Sequence, residues 1–81
     1  MDNRVKVRFF AAARAAAGVD TASFDTAPLS NILAEASHDN PSLAHVLAQC
    51  SFLVDSLAVH DLEIHVKNGS TVDVLPRFAG G

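Results

Sequence analysis

The chain has 81 residues, 49% of them hydrophobic and 19% charged, with a formal net charge of −3. A chain this short makes one domain that buries only about 60% of its unfolded surface, so it needs a compact, well-filled core. No apolar stretch approaches the roughly 18 residues of a membrane span, no signal-peptide pattern opens the chain, and one cysteine, Cys50, allows no disulfide framework.

The expectation is therefore a cytoplasmic protein with no membrane association. The six cations, Arg4, Lys6, Arg8, Arg14, Lys67 and Arg77, all lie toward the two ends, whereas Asp20, Asp25, Glu35, Asp39, Asp55, Asp61 and Glu63 fall between them. If the ends meet in space, one face is basic and the rest acidic. Six cations without interleaved aromatic rings are too few for nucleic acid.

In chain order, Arg4 to Phe10 alternates polar and apolar residues, which puts Val5, Val7 and Phe9 on the buried side of a strand and leaves Phe10 outside with Lys6 and Arg8. Ala11 to Ala17 is an alanine-rich helical turn or loop closed by Gly18. A second strand covers Val19 to Asp25, with Phe24 inward. Pro28 opens a helix whose Leu29, Ile32, Leu33 and Ala36 form one stripe, and Pro41 stops it at Asp39-Asn40. Leu43, Val46 and Leu47 make a second, short helical piece. Phe52–Val54 and Leu57–Val59 read as short strands joined across Asp55-Ser56, although Asn-Gly or Asp-Gly is the usual hairpin pair. After the Asn68-Gly69 turn comes a last strand, Thr71 to Leu75, with Val72 and Val74 inward.

This order is that of an α+β, ubiquitin-like β-grasp domain, a mixed sheet packed on one main helix. The domain spans residues 1–75, followed by a flexible tail, 76–81, ending in Gly80-Gly81. The first and last strands then lie parallel in mid-sheet. Phe10 and Leu75 meet at the root of the tail and, with Phe78, form an apolar patch rimmed by Lys6, Arg8 and Arg77.

Cys50 reads as a small buried hydrophobe. His38, His45, His60 and His65 are scattered without metal-ligand spacing, so no metal is expected. No side-chain set carries acid, base and nucleophile together, which argues against an autonomous enzyme.

The stretches Arg8 to Gly18 ("RFFAAARAAAG"), Phe52 to Asp55 and Asn68 to Gly81 ("NGSTVDVLPRFAGG") resemble the MoaD family, the sulfur-carrying small subunits of molybdopterin synthase within the MoaD/ThiS group. Two positions depart from that pattern. Ala15 stands where an acidic residue is usual, and Pro76-Arg77 stands where two prolines are common, leaving the root of the tail less rigid and more basic.

The resemblance implies that the Gly81 carboxylate, presented through Gly80, is adenylated by an ATP-using activating enzyme. A desulfurase- or rhodanese-type sulfur donor then converts it to a thiocarboxylate. The tail enters the synthase large subunit and gives sulfur to a pyranopterin precursor. No cofactor is bound by this chain alone, and ATP belongs to the activating partner. Glycines suit a narrow tunnel because they lack Cβ. Phe10, Leu75, Arg77, Phe78, Ala79 and Arg8 are the expected partner-binding residues, the arginines steering toward an acidic surface. Sulfur carriers of thiamine or cysteine biosynthesis share the tail. So does a ubiquitin-like modifier that forms isopeptide bonds. A pure interaction module would tolerate loss of Gly80-Gly81.

Overall fold

The computed structural model describes residues 4–77. Strand β1 (Val5–Phe9) leads into helix α1 (Ala11–Ala17), and strand β2 (Thr21–Phe24) returns antiparallel to β1. Two residues, Ala27–Pro28, form β3. Helices α2 (Leu29–Ala36) and α3 (Pro41–Leu47) follow. Strands β4 (Cys50–Val54) and β5 (Leu57–Val59) make a hairpin, and β6 (His65–Val66) precedes the last strand, β7 (Thr71–Pro76).

Five strands form one sheet in the order β2-β1-β7-β4-β5, with β1 and β7 parallel. The two ends of the described chain therefore meet in mid-sheet, as the β-grasp order of the elements predicts. β3 and β6 pair separately. One sheet face, through Val5, Val7, Phe9, Phe52, Val72 and Val74, packs on Ala13, Leu29, Ile32, Leu33, Leu43 and Leu47 of the helices. The other face carries no helix, and its charged and apolar side chains form the site described below.

Each short helix is terminated by a local device. Gly18 caps α1 at φ 79, where a Cβ is disfavoured, and its N–H donates to the Arg14 carbonyl. The first N–H groups of α2 have no side-chain cap. Leu29 and Ser30 donate instead to the carbonyls of Ile64 and Leu62, which ties the helix to the chain before β6. At α3, Asn40 accepts from the Leu43 N–H through Oδ1 at 3.0 Å and donates through Nδ2 to the Ala16 carbonyl at 3.0 Å, joining two helix ends with one side chain.

The alanine-rich segment, left open between a helical turn and a loop, forms α1, so three helices of similar length pack on the sheet among the described residues. Two boundaries are corrected. α2 ends at Ala36, not Asp39, where Ser37 caps it and donates its hydroxyl to the Leu33 carbonyl. β2 is confined to Thr21–Phe24, leaving Val19 half exposed before it. The hairpin at Asp55-Ser56 forms as expected, both residues having positive φ (49 and 70). β7 also takes in Pro76, one residue past the expected boundary, paired with Cys50.

Candidate functional site

The parallel pairing of β1 with β7 sets Lys6 opposite Thr71 and Arg8 opposite Asp73 on the helix-free face, while Phe9 and Val74 point into the core. The pairing of β4 with β7 adds Ser51 beside Leu75 and Leu53 beside Asp73, and β5 adds Ala58 beside Leu53.

Phe10 continues the line of β1. Its backbone is extended (φ −122, ψ 149) and its N–H donates to the Val74 carbonyl at 3.3 Å, placing it next to Leu75. Phe10 is 38% exposed, a large aromatic surface left in water at the end where β7 finishes. Leu75 is half-buried beside it, and Leu53 is half-buried beside Asp73.

Arg8 and Asp73 form the electrostatic centre of this face. Arg8 donates from Nε at 2.6 Å and Nη2 at 2.9 Å to the two Asp73 oxygens, and its Cζ lies 5.6 Å from the centre of the Phe10 ring. Asp73 is nearly buried, at 7% exposure. Its hydrogen bond and charge push the Arg8 pKa up, so the guanidinium stays cationic. A recess of about 350 Å³ beside the pair is lined by Lys6, Arg8, Asp55, Ser56, Thr71 and Asp73. Asp55 accepts from the Thr71 N–H and the Ser70 hydroxyl, each at 2.9 Å, and these bonds hold its carboxyl below the usual range.

Arg77 is exposed at the root of the tail. Its N–H donates to the Gln49 carbonyl at 3.2 Å and its Nε to the Ser51 hydroxyl at 3.1 Å. These two bonds fasten Arg77 to the start of β4 and to the residue before it. Beside it lies a groove of about 280 Å³ lined in part by Phe52, Leu53, Ala58 and Leu62. The structure thus brings Phe10, Leu75, Arg8 and Arg77 to one end of the helix-free face. Phe78, Ala79, Gly80 and Gly81 lie outside the described residues.

The basic face is partly neutralised, because Arg4 pairs with Asp25, Arg8 with Asp73 and Arg14 with Asp20. Cys50 is buried as expected. Its thiol donates to the Val46 carbonyl at 3.2 Å, and burial pushes its pKa up, the reverse of an activated nucleophile. Among the described residues no group of three His, Cys, Asp or Glu side chains could hold a metal ion, and no helix is long and apolar enough to cross a membrane.

The sequence reading missed Asp73. Its signal was an acid at the outward position of an apolar strand, opposite an arginine once the two end strands are set in parallel register.

Residues 7–81 match the model of the ThiS family. The chain belongs to the ThiS family. This agrees with the MoaD/ThiS resemblance of its end motifs. Comparison with curated proteins finds no match. Among solved structures, a putative molybdopterin converting factor subunit 1 from Pyrococcus furiosus is 23% identical with TM-score 0.80, over 93% of this chain and 98% of that one. Small archaeal modifier protein 1 of Haloferax volcanii is 19% identical with TM-score 0.78, over 93% and 98%. A chain from the complex of subunits 1 and 2 of molybdopterin-converting factor from Helicobacter pylori is 22% identical with TM-score 0.72, over 95% and 97%. At these identities the likeness is one of fold, the ubiquitin-like β-grasp shared by sulfur carriers and modifiers.

Proposed function

We propose that this ThiS-family chain is the sulfur carrier of a molybdopterin synthase, its small subunit. The observation that carries the reading is the position of β7. This central strand ends beside the exposed Phe10 ring, so whatever docks on the ring lies next to the strand that precedes Gly80-Gly81 in sequence. The end motifs and the fold shared with a subunit of a molybdopterin-converting factor complex support the pathway.

In this reading the Gly81 carboxylate attacks the α-phosphate of ATP in an activating enzyme, releasing pyrophosphate and leaving an acyl-adenylate. The terminal sulfur of a desulfurase- or rhodanese-type persulfide attacks the acyl carbon and displaces AMP, giving an acyl disulfide, and a second thiol then attacks the donor sulfur, closing a disulfide with it and releasing the thiocarboxylate. Gly80 and Gly81 present that anion inside the large subunit to a pyranopterin precursor. Phe10, Leu75 and Phe78 supply apolar docking, and Arg77 and Ala79 line the start of the tail. The chain contributes no general acid or base, ATP stays with its partner, and the reactions take place in the cytoplasm.

The likeness to a small archaeal modifier protein favours a second reading, attachment of Gly81 to lysines of other proteins. Intact mass after incubation with ATP, an activating enzyme and a sulfur source tests the proposal. The expected gain is that of one oxygen replaced by sulfur, absent from a chain lacking Gly81, followed by sulfur transfer to the pterin precursor with the large subunit. No gain with competent activating enzymes overturns it, and isopeptide conjugates without pterin sulfuration select the second reading.

A further inference from the structure

The charged groups of the helix-free face are not equivalent. Each oxygen of its two carboxylates already accepts one hydrogen bond: Asp73 accepts Nε and Nη2 of Arg8, and Asp55 accepts the Thr71 N–H and the Ser70 hydroxyl. Its cations are not so fully engaged. Arg8 uses only one edge of its guanidinium on Asp73, and its side chain is 45% exposed. Lys6 lines the same recess and makes no ion pair among the described residues. The face therefore presents cationic donors without a partner of their own, beside carboxylate oxygens that each already hold a donor.

Arg8 is also fixed in direction. The side-on contact with Asp73 holds the guanidinium plane, which lies over Phe10. A lysine has no such plane and could not be held this way. Asp73, at 7% exposure, acts through Arg8 and is a positioning residue.

A partner that covers Phe10 must also cover this guanidinium. Removing water from its unspent N–H groups is unfavourable unless the partner supplies oxygen to accept them. We infer that Arg8, clamped by Asp73 across the two central strands, is a specificity-determining residue of the docking face, and that its partner presents an apolar socket for Phe10 bordered by a carboxylate. The inference rests on the docking reading above and narrows it to a partner chemistry. Because the Arg8–Asp73 pair is neutral at a distance, it selects at contact, while Lys6 and Arg77 steer.

Calorimetric titration of the free protein against the molybdopterin synthase large subunit and the activating enzyme of the same organism tests this, with a thermal melt of every variant. R8K and the double variant R8L/D73L are each expected to bind at least one partner tenfold or more weakly. The double variant stays folded, since an apolar pair in place of an ion pair is commonly neutral or stabilising. The swapped pair R8D/D73R separates a structural role from a selective one. It should recover the melting temperature and not the affinity, because the guanidinium no longer starts from the strand that carries Phe10. Less than a tenfold loss in R8L/D73L, or restored affinity in the swap, overturns the inference and leaves the docking reading standing. A parent chain that binds neither partner removes the docking reading and this inference with it.

Discussion

Phe10→Asp separates a docking ring from a core ring. Complete burial of a phenylalanine side chain contributes about 1.5–3 kcal/mol. At 38% exposure, Phe10 stands to lose about 1–2 kcal/mol of that, plus about 0.5 kcal/mol for its contact with the Arg8 guanidinium. The replacement restores part of it. Phe10 is the N-cap of α1 and makes no side-chain cap hydrogen bond, so an aspartate there gains roughly 0.5–1 kcal/mol from the helix terminus. The net cost is about 1 kcal/mol, or a fall in Tm of about 4–8 °C. Binding should respond far more. Loss of a central aromatic anchor costs about 2 kcal/mol or more, roughly 30-fold in affinity, before the carboxylate meets an acidic partner. Circular-dichroism melts and calorimetric titration against the large subunit read the two effects. A fall in Tm beyond about 15 °C would show Phe10 to be core, and unchanged affinity would move the docking site elsewhere.

Ser56 sits at φ 70 in the β4–β5 turn, so Ser56→Gly is expected to raise stability by about 0.5–1 kcal/mol, read as a higher urea midpoint. Asp55 has a lowered pKa in the folded state, so its contribution to stability is present above the unfolded carboxylate value near 3.9 and is lost as pH falls through the folded value. Melts between pH 6 and about pH 2 should therefore decline less steeply below about pH 4 in Asp55→Asn, which tolerates the positive φ of 49. An unchanged profile would deny the carboxylate that role. Cys50→Ala should leave thiocarboxylation of Gly81 intact, and the native thiol should resist a thiol reagent at pH 7 until the chain is unfolded. Loss of sulfur loading in that variant would put Cys50 on the transfer route.

Much of the fold was legible because the end segments alternate so regularly. Val5, Val7 and Phe9, and likewise Val72 and Val74, leave one register in which both strands face the core. The short pieces were not legible. β3 and β6 are two residues each, too short to show a period, and Val66 is buried by tertiary pairing alone. The end of α2 turned on Ser37, whose hydroxyl reaches back to Leu33, and not on the distant Pro41. At the site, Phe10 followed from alternation. The clamp on Arg8 did not, because the Asp73 carboxylate lies 65 positions along the chain and only the parallel register of β1 with β7 brings it there.

The root of the tail shows how one residue sets the reach of the next. Along β7 the backbone groups point alternately to β1 and β4. The Val74 carbonyl accepts from Phe10 on the β1 side, so the nitrogen of Pro76 faces that side too, where the chain has already turned into α1. A proline is tolerated in this central strand because its missing donor falls where no acceptor strand continues. Arg77 faces β4, and its N–H is bonded to the Gln49 carbonyl. A second proline at this position would delete that bond and the Ser51 contact together. Arg77→Pro is therefore expected to cost about 1–3 kcal/mol, the net worth of two hydrogen bonds at about 0.5–1.5 kcal/mol each. It should also speed exchange of the amides at the start of β4 while leaving those of β1 unchanged. If the Gly81 tail is delivered from a fixed root, sulfur loading at saturating activating enzyme should slow in this variant, while association loses the steering charge of Arg77 and keeps the contacts of Phe10 and Arg8. Equal loading rates would show that the fastening at Arg77 serves the sheet alone.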